Sequence, residues 1–246
     1  MTAASRILIC AALALLPASA RAEPLVADLS QDLIAITTDF AGSDVLLFGA
    51  TEGEGEVVVV VRGPFVDEVV RRKTRIAGVW VNRRGVRFQG VPSYYHLAAS
   101  GPVDELLSEE DRQRLQIGHE FLRLQGGGRV GAAEQADYRA ALVRAKQRQD
   151  LYYTTPGKVT FLGNRLFRTK LLLPANVPVG DFEVTVLLVR DRQVVAEFKR
   201  RLRIGKIGFE ADVYRFAHQR SALYGLIAIV IALMAGWFAG FVFRKY

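Results

Sequence analysis

The chain is expected to be mainly β: an antiparallel sandwich of the immunoglobulin-like kind, carrying an inserted helical hairpin and followed by one C-terminal transmembrane helix. Three observations predict this. Short β-branched runs recur between turn signals, without the strand–helix alternation of a parallel sheet. Over 103–150 charged and small residues replace the β-branched ones, which suits helices. Residues 223–243, LYGLIAIVIALMAGWFAGFVF, contain no charge. At about 1.5 Å per residue, a helix of that length crosses a hydrocarbon core roughly 30 Å thick.

Residues 1–22 have the build of a signal peptide. Arg6 precedes the apolar run 7–16, which is too short to span, and Pro17 and the small residues Ala18, Ser19 and Ala20 follow it. Cleavage fits after Ala20 and equally after Ala22. Cys10, the one cysteine, leaves with this segment, so disulfides, thiolate metal sites and Cys–His chemistry are closed to the mature chain. Residues 23–205 are then the exported β-rich part, as one domain or two small ones. A juxtamembrane segment covers 206–222, the span 223–243 and a cytoplasmic tail 244–246. Arg244 and Lys245 put the C-terminus inside and the exported part on the other side of the membrane.

The elements follow in order. Residues 33–37 and 45–48 read as strands around the turn formers Asp39, Gly42, Ser43 and Asp44. Five valines, 57–61, form an uninterrupted run suited to a central strand covered on both faces. Residues 69–75, with Arg71, Arg72 and Lys73, suit a solvated edge strand. Val79, Trp80 and Val81 lead into an expected turn over 82–85. After it, Val86 and Phe88 alternate with Arg87 and Gln89.

Ser108 heads a first helix whose opening turn carries Glu109, Glu110 and Asp111, with Leu115 and Leu122 on its apolar side. A second, 133–149, places Tyr138, Ala141, Leu142 and Ala145 on one face. Gly126, Gly127, Gly128 and Gly131 make a flexible connection between them. Strands return at 159–162 and 166–173, joined by an expected two-residue hairpin at Gly163 and Asn164. Another covers 182–189. In the last, Val194, Ala196, Phe198, Leu202 and Ile204 share one face, charged residues fill the other, and Arg200 interrupts the inward set. That pattern marks an outer strand. Phe209, Val213, Phe216 and Ala217 lie at helical spacing, which fits an interfacial helix and also the first turns of the membrane helix.

No constellation for chemistry emerges, so no catalytic, cofactor or metal residue is expected. His96, His119 and His218 lack ligand spacing, and neither H-E-x-x-H nor G-x-S-x-G occurs. The glycines of 49–55 lack the Lys and Ser/Thr of a phosphate loop. Glu109 and Glu110 read as solvated charges at a helix start, and Trp80, Tyr94 and Tyr95 read as core.

The net charge of +8 draws partly on Arg6, Arg21, Arg244 and Lys245, which lie outside the exported part. The remainder is spread thinly, which argues against nucleic acid as a partner. Arg215, His218 and Arg220, just before the span, suit an anionic bilayer surface. The one interaction motif is in the span itself. Ala228, Ala232, Gly236 and Gly240 recur every fourth residue and form a small face for helix packing, against an integral membrane partner or a second copy.

The segments LVADLSQDLIAITTDFAGSDVLLFGA, VVVVVRGP, VRRKTRIAGVWVN, FLGNRLFRTKLLLPANVPVGDFEV and LYGLIAIVIALMAGWF together resemble the alphaproteobacterial putative transmembrane protein family over most of the mature chain. The resemblance implies a bacterial envelope protein with one C-terminal span, hence an inner-membrane protein whose exported part is periplasmic and whose C-terminus is cytoplasmic, and it supplies no catalytic residue. Members are often encoded beside exporters of sulfite or organosulfonates, which implies an accessory to a transporter. The expected function is therefore a noncatalytic, membrane-anchored periplasmic binding or accessory protein. An envelope enzyme whose site carries no recognisable motif is the competing expectation.

Overall fold

The computed structural model describes residues 24–76, 78–127, 131–206 and 216–243. Two sheets face each other. The first has the order β1 (Leu25–Leu29), β3 (Gly42–Thr51), β11 (Leu166–Pro174), β10 (Thr160–Leu162) and is antiparallel throughout. The second runs β2 (Leu33–Ile36), β13 (Gln193–Lys206), β12 (Gly180–Arg190), β4 (Glu56–Arg62), β7 (Tyr95–Ala99), β9 (Gly157–Lys158). Only its outermost pairs, β13 with β2 and β7 with β9, are parallel.

Sequence period explains the layers. In β11, Phe167, Thr169, Leu171 and Leu173 are buried, while Leu166, Arg168, Lys170 and Leu172 face out. In β4 all five valines are buried, because it lies between β12 and β7 and is covered on both faces. Val57, Val59 and Val61 face the other sheet. Beyond Val58 and Val60 lies the inserted segment, held by Arg62, which donates to the carbonyls of Leu115 (2.6 Å) and Gln116 (3.3 Å). The chain passes from one sheet to the other across the single buried residue Val159.

The inserted segment is richer than a pair of helices. It holds α1 (Val103–Leu106), α2 (Glu109–Leu115), a 3₁₀ turn (His119–Phe121), β8 (Gln125–Gly127) and α3 (Ala132–Gln147). Ser108 caps α2 by accepting from the Asp111 amide at 3.2 Å, as its sequence suggests. The glycine stretch, expected to be a plain connection, forms β8 and pairs with Arg87, Phe88 and Gln89. A Cβ at Gly126 would come within 3.0 Å of Val86 and 3.1 Å of Phe88, so glycine is what admits this close approach. Gly128 lies outside the described residues.

β8 extends a third sheet made of β5 (Phe65–Ile76) and β6 (Val79–Pro92). Here the expected turn at 82–85 is replaced by continuous strand. The hairpin closes instead on the pair Ile76 and Val79, with Gly78 at φ +86°. Arg71 pairs with Gly85 and Lys73 with Asn82, so β6 carries an extra residue there, and the turn-forming residues mark a β-bulge. The hairpin between β10 and β11 also differs: Leu162 pairs with Leu166, which leaves a three-residue loop with Gly163 at φ +70°.

β13 pairs with β2 only over its last four residues and is otherwise an outer strand, as expected. Arg200, at a core-facing register position, reaches across the open edge to Asp28 of β1 at 3.0 Å. The last element is α4 (Ser221–Phe243), preceded by a helical turn at 216–219. Residues 1–22, expected to be a signal peptide, Phe209 and Val213 of the juxtamembrane pattern, and residues 244–246 lie outside the described residues.

Candidate functional site

The residues singled out by sequence are on α4. Ala228, Ala232, Gly236 and Gly240 are all exposed, and a Cβ added at Gly236 or Gly240 would meet nothing within 4 Å. They span about 18 Å of helix axis, and each four-residue step turns the stripe by about 40°. The small face therefore winds around α4 and suits a partner helix that crosses at an inclination.

The three histidines do not converge. His119 is in the 3₁₀ turn, 3.7 Å from the Glu120 carboxylate, and His218 is in the turn before α4. Among the described residues, no group of three or more His, Cys, Asp and Glu side chains could hold a metal.

His96 has a different setting. It is the second residue of β7 and only 1% exposed, facing the first sheet. The Tyr94 hydroxyl donates its proton to the Leu172 carbonyl and lies 3.3 Å from His96 Nδ1. With that proton committed, the Tyr94 oxygen accepts from Nδ1–H, which leaves the lone pair of the neutral ring on Nε2. Burial lowers the His96 pKa to about 4, so the ring is neutral at neutral pH. Burial raises the Tyr94 hydroxyl well above its ordinary value and keeps it a donor.

The Tyr153 ring stacks on the imidazole at 4.8 Å between centroids. Nε2 faces Gly157, where an added Cβ would sit 2.9 Å away. His96 lines a cleft of about 500 Å³ whose rim carries Lys158, Thr160, Arg168 and Lys170. Lys170 is paired with Asp44 at 3.0 Å. The cleft thus sets the neutral His96 ring beneath a cationic rim. No carboxylate, serine or second histidine lines it among the described residues.

Residues 24–245 match the family described as Putative transmembrane protein. The chain belongs to this family. No curated protein and no solved structure matches it. As a member of the family the chain is a membrane protein, and the match runs through the β-sandwich as well as the helix. The stretch Ser221–Gly240 of α4 has a mean hydropathy of 2.2, and none of it is buried by the rest of the chain.

Sequence reasoning missed His96 for a definable reason. β7 is buried at all five positions, so it has no alternation to show which way the ring points. Tyr94 and Tyr95 are core, as expected, at 0% and 2% exposure. Both also act through their hydroxyls: that of Tyr95 donates to the Gln116 carbonyl at 3.2 Å and accepts from the Gly118 amide at 2.8 Å. Only the neighbouring glycine, Gly157, could have hinted that something approaches closely there.

Proposed function

We propose that the chain is an exported, noncatalytic binding or accessory protein of the bacterial inner membrane. In this reading residues 1–22 are removed as a signal peptide, the β-sandwich lies in the periplasm, and Arg244 and Lys245 stay in the cytoplasm. It acts with an integral membrane partner. A transporter is the partner class that the family resemblance favours. The observation that carries the reading is the bare surface of α4, whose small face through Gly236 and Gly240 is left open by the chain's own domain.

The test is photo-crosslinking in native membranes from Gly236 or Gly240, compared with Met234 or Phe238 on the opposite side of the helix. Capture of one membrane protein, or of a second copy, from the small face alone supports the reading. Equal capture of abundant neighbours from both faces removes it. A reporter fused after Tyr246 that works only in the periplasm overturns the orientation.

One observation favours catalysis as a second reading. His96 holds an unprotonated nitrogen toward a cleft, the arrangement of a general base. Turnover of any member of a broad substrate panel by the full chain, lost in His96→Asn, would establish it. A flat panel counts against it.

A further inference from the structure

The β5–β6 hairpin is rooted at a particular end of the sandwich. β4 and β13 both run antiparallel to β12, so Arg62 and Lys206 finish at the same end. The turn out of β4 lies there too: a Cβ at Gly180, which pairs with Ile204, would sit 2.8 Å from Pro64. Only residues 207–215 separate Lys206 from the helical turn before α4. At about 3.3–3.6 Å per residue that connection reaches roughly 30 Å. From root to tip the hairpin is of the same length, up to about 40 Å at roughly 3.3 Å per residue. A bilayer holding α4 is therefore within its reach.

Beyond the pocket that Val70, Arg71 and Arg72 share with α3, the hairpin runs on through exposed residues. From Arg71 on β5 and Gly85 on β6 outward, every residue whose exposure is described is exposed, including Arg72, Lys73, Arg75, Val79 and Val81. Alternate strand residues point to opposite faces, so both faces are bare. The sequence at the tip is apolar, Ile76, Ala77, Gly78, Val79, Trp80 and Val81, with Val79 65% exposed. Behind it come Arg71, Arg72, Lys73 and Arg75 on one strand and Arg83 and Arg84 on the other. No acidic residue occurs between Val69 and Gln89.

Arg75 Nε donates to the Gly78 carbonyl at 3.1 Å, which keeps a guanidinium beside the turn. The carboxylates facing this arm are Glu134 and Asp137 of α3, near Arg71 and Arg72, and Asp67, paired with Arg87 at 3.5 Å. These acids lie at the root, beside Arg71 and Arg72, and the sequence beyond them, from Lys73 to Arg84, carries cations alone.

We propose that this tip is a second membrane contact, in which residues 76–81 enter the interfacial layer of an anionic bilayer and the Arg/Lys collar binds lipid phosphates. An aromatic residue among valines, flanked in sequence by cations, matches the chemistry of an interface with apolar chains on one side and anionic headgroups on the other. The chain's own membrane helix brings that surface to the hairpin. The proposal needs α4 in a bilayer and is independent of any protein partner, so the crosslinking test above can fail without affecting it.

The test uses the full chain with Trp237→Phe, which leaves Trp80 as the sole tryptophan. It is placed in nanodiscs of phosphatidylcholine, with or without phosphatidylglycerol, whose acyl chains are brominated. The expected result is a blue-shifted Trp80 emission that loses most of its intensity in phosphatidylglycerol discs. In phosphatidylcholine discs, at high salt, or with Lys73→Glu and Arg75→Glu, the emission should return to that of exposed tryptophan. These two residues are exposed, and far-UV circular dichroism checks that the variant is folded. Emission at the wavelength of exposed tryptophan in every disc would overturn the proposal. So would quenching indifferent to lipid charge and to the substitutions, or shielding of Trp80 from both aqueous acrylamide and brominated lipid, which would mean a protein contact.

Discussion

His96 ties the stability of the β-sandwich to pH in a definite direction. Its pKa falls from an ordinary 6.5 to about 4 on folding, because burial penalises the charged ring. Above an ordinary histidine pKa both folded and unfolded chains hold it neutral, and it has no effect on stability. As pH falls below that value, the unfolded chain takes up a proton that the folded chain refuses. Stability then drops by about 1.4 kcal/mol per pH unit, until the folded ring also protonates near its own pKa. The whole window is worth about 3 kcal/mol, a large part of the roughly 5–15 kcal/mol that holds a domain together.

Asparagine at this position keeps an amide N–H near Nδ1 for the Tyr94 oxygen and cannot titrate. Urea unfolding of the full chain in a neutral detergent, followed by far-UV circular dichroism, reads the effect. Between about pH 7.5 and about pH 4.5 the wild type should lose about 2–3 kcal/mol more than His96→Asn. Parallel losses would mean that the ring protonates as it does in water, and would refute both the burial argument and the neutral Nε2 built on it.

Three further outcomes are expected from the same unfolding assay. Gly49→Ala should cost about 3 kcal/mol, because the new Cβ would lie 2.4 Å from the Val26 carbonyl oxygen, a backbone atom that cannot step aside. Val59→Ala, fully buried between the sheets, should cost roughly 2 kcal/mol through the cavity it leaves, with an unchanged urea slope. At the bridge between Lys146 and Glu68 (2.6 Å) the two deletions should be unequal. Glu68→Gln strands an ammonium that is 8% exposed and should cost about 2 kcal/mol or more, whereas Lys146→Met leaves a carboxylate with access to water and should cost less. Faster hydrogen exchange at the end of α3 should accompany both.

What was legible in the sequence was whatever depends on local pattern. The run 57–61 announced a strand buried on both faces, and the outer strand β13 followed from its alternation. α4 followed from a charge-free length. The errors lie where pairing overrode a local preference. Asn82 to Gly85 have turn chemistry, yet β5 supplies partners on either side, and the surplus residue is absorbed as a bulge. The glycines near 126 have linker chemistry, yet lacking side chains is what lets them lie against Val86 and Phe88. His96 was illegible for a different reason. Its tautomer rests on Tyr94 and the Leu172 carbonyl, and the setting of its Nε2 on Gly157, residues that only the sandwich topology brings together.

The root of the β5–β6 hairpin is fastened in a way that bears on what its tip can do. Lys146 pairs with Glu68, the buried Tyr152 hydroxyl donates to the Pro92 carbonyl at 2.7 Å, and the Tyr95 amide donates to the Leu151 carbonyl at 2.9 Å. The hairpin is thus locked to α3 and to the start of β7, and only its distal half is bare. A tip presented on a fixed root loses little conformational freedom on docking, unlike a loose loop. α4 contributes a second advantage, because only the nine residues 207–215 join the sandwich to the helical turn before the membrane helix, which keeps the local concentration of the tip near lipid high. Six apolar residues and a cationic collar would be a weak membrane anchor on their own, but beside a committed helix they need only bias the orientation of a domain already at the surface. The position of this hairpin at the end where β13 leaves for α4 is where such a bias would be most effective.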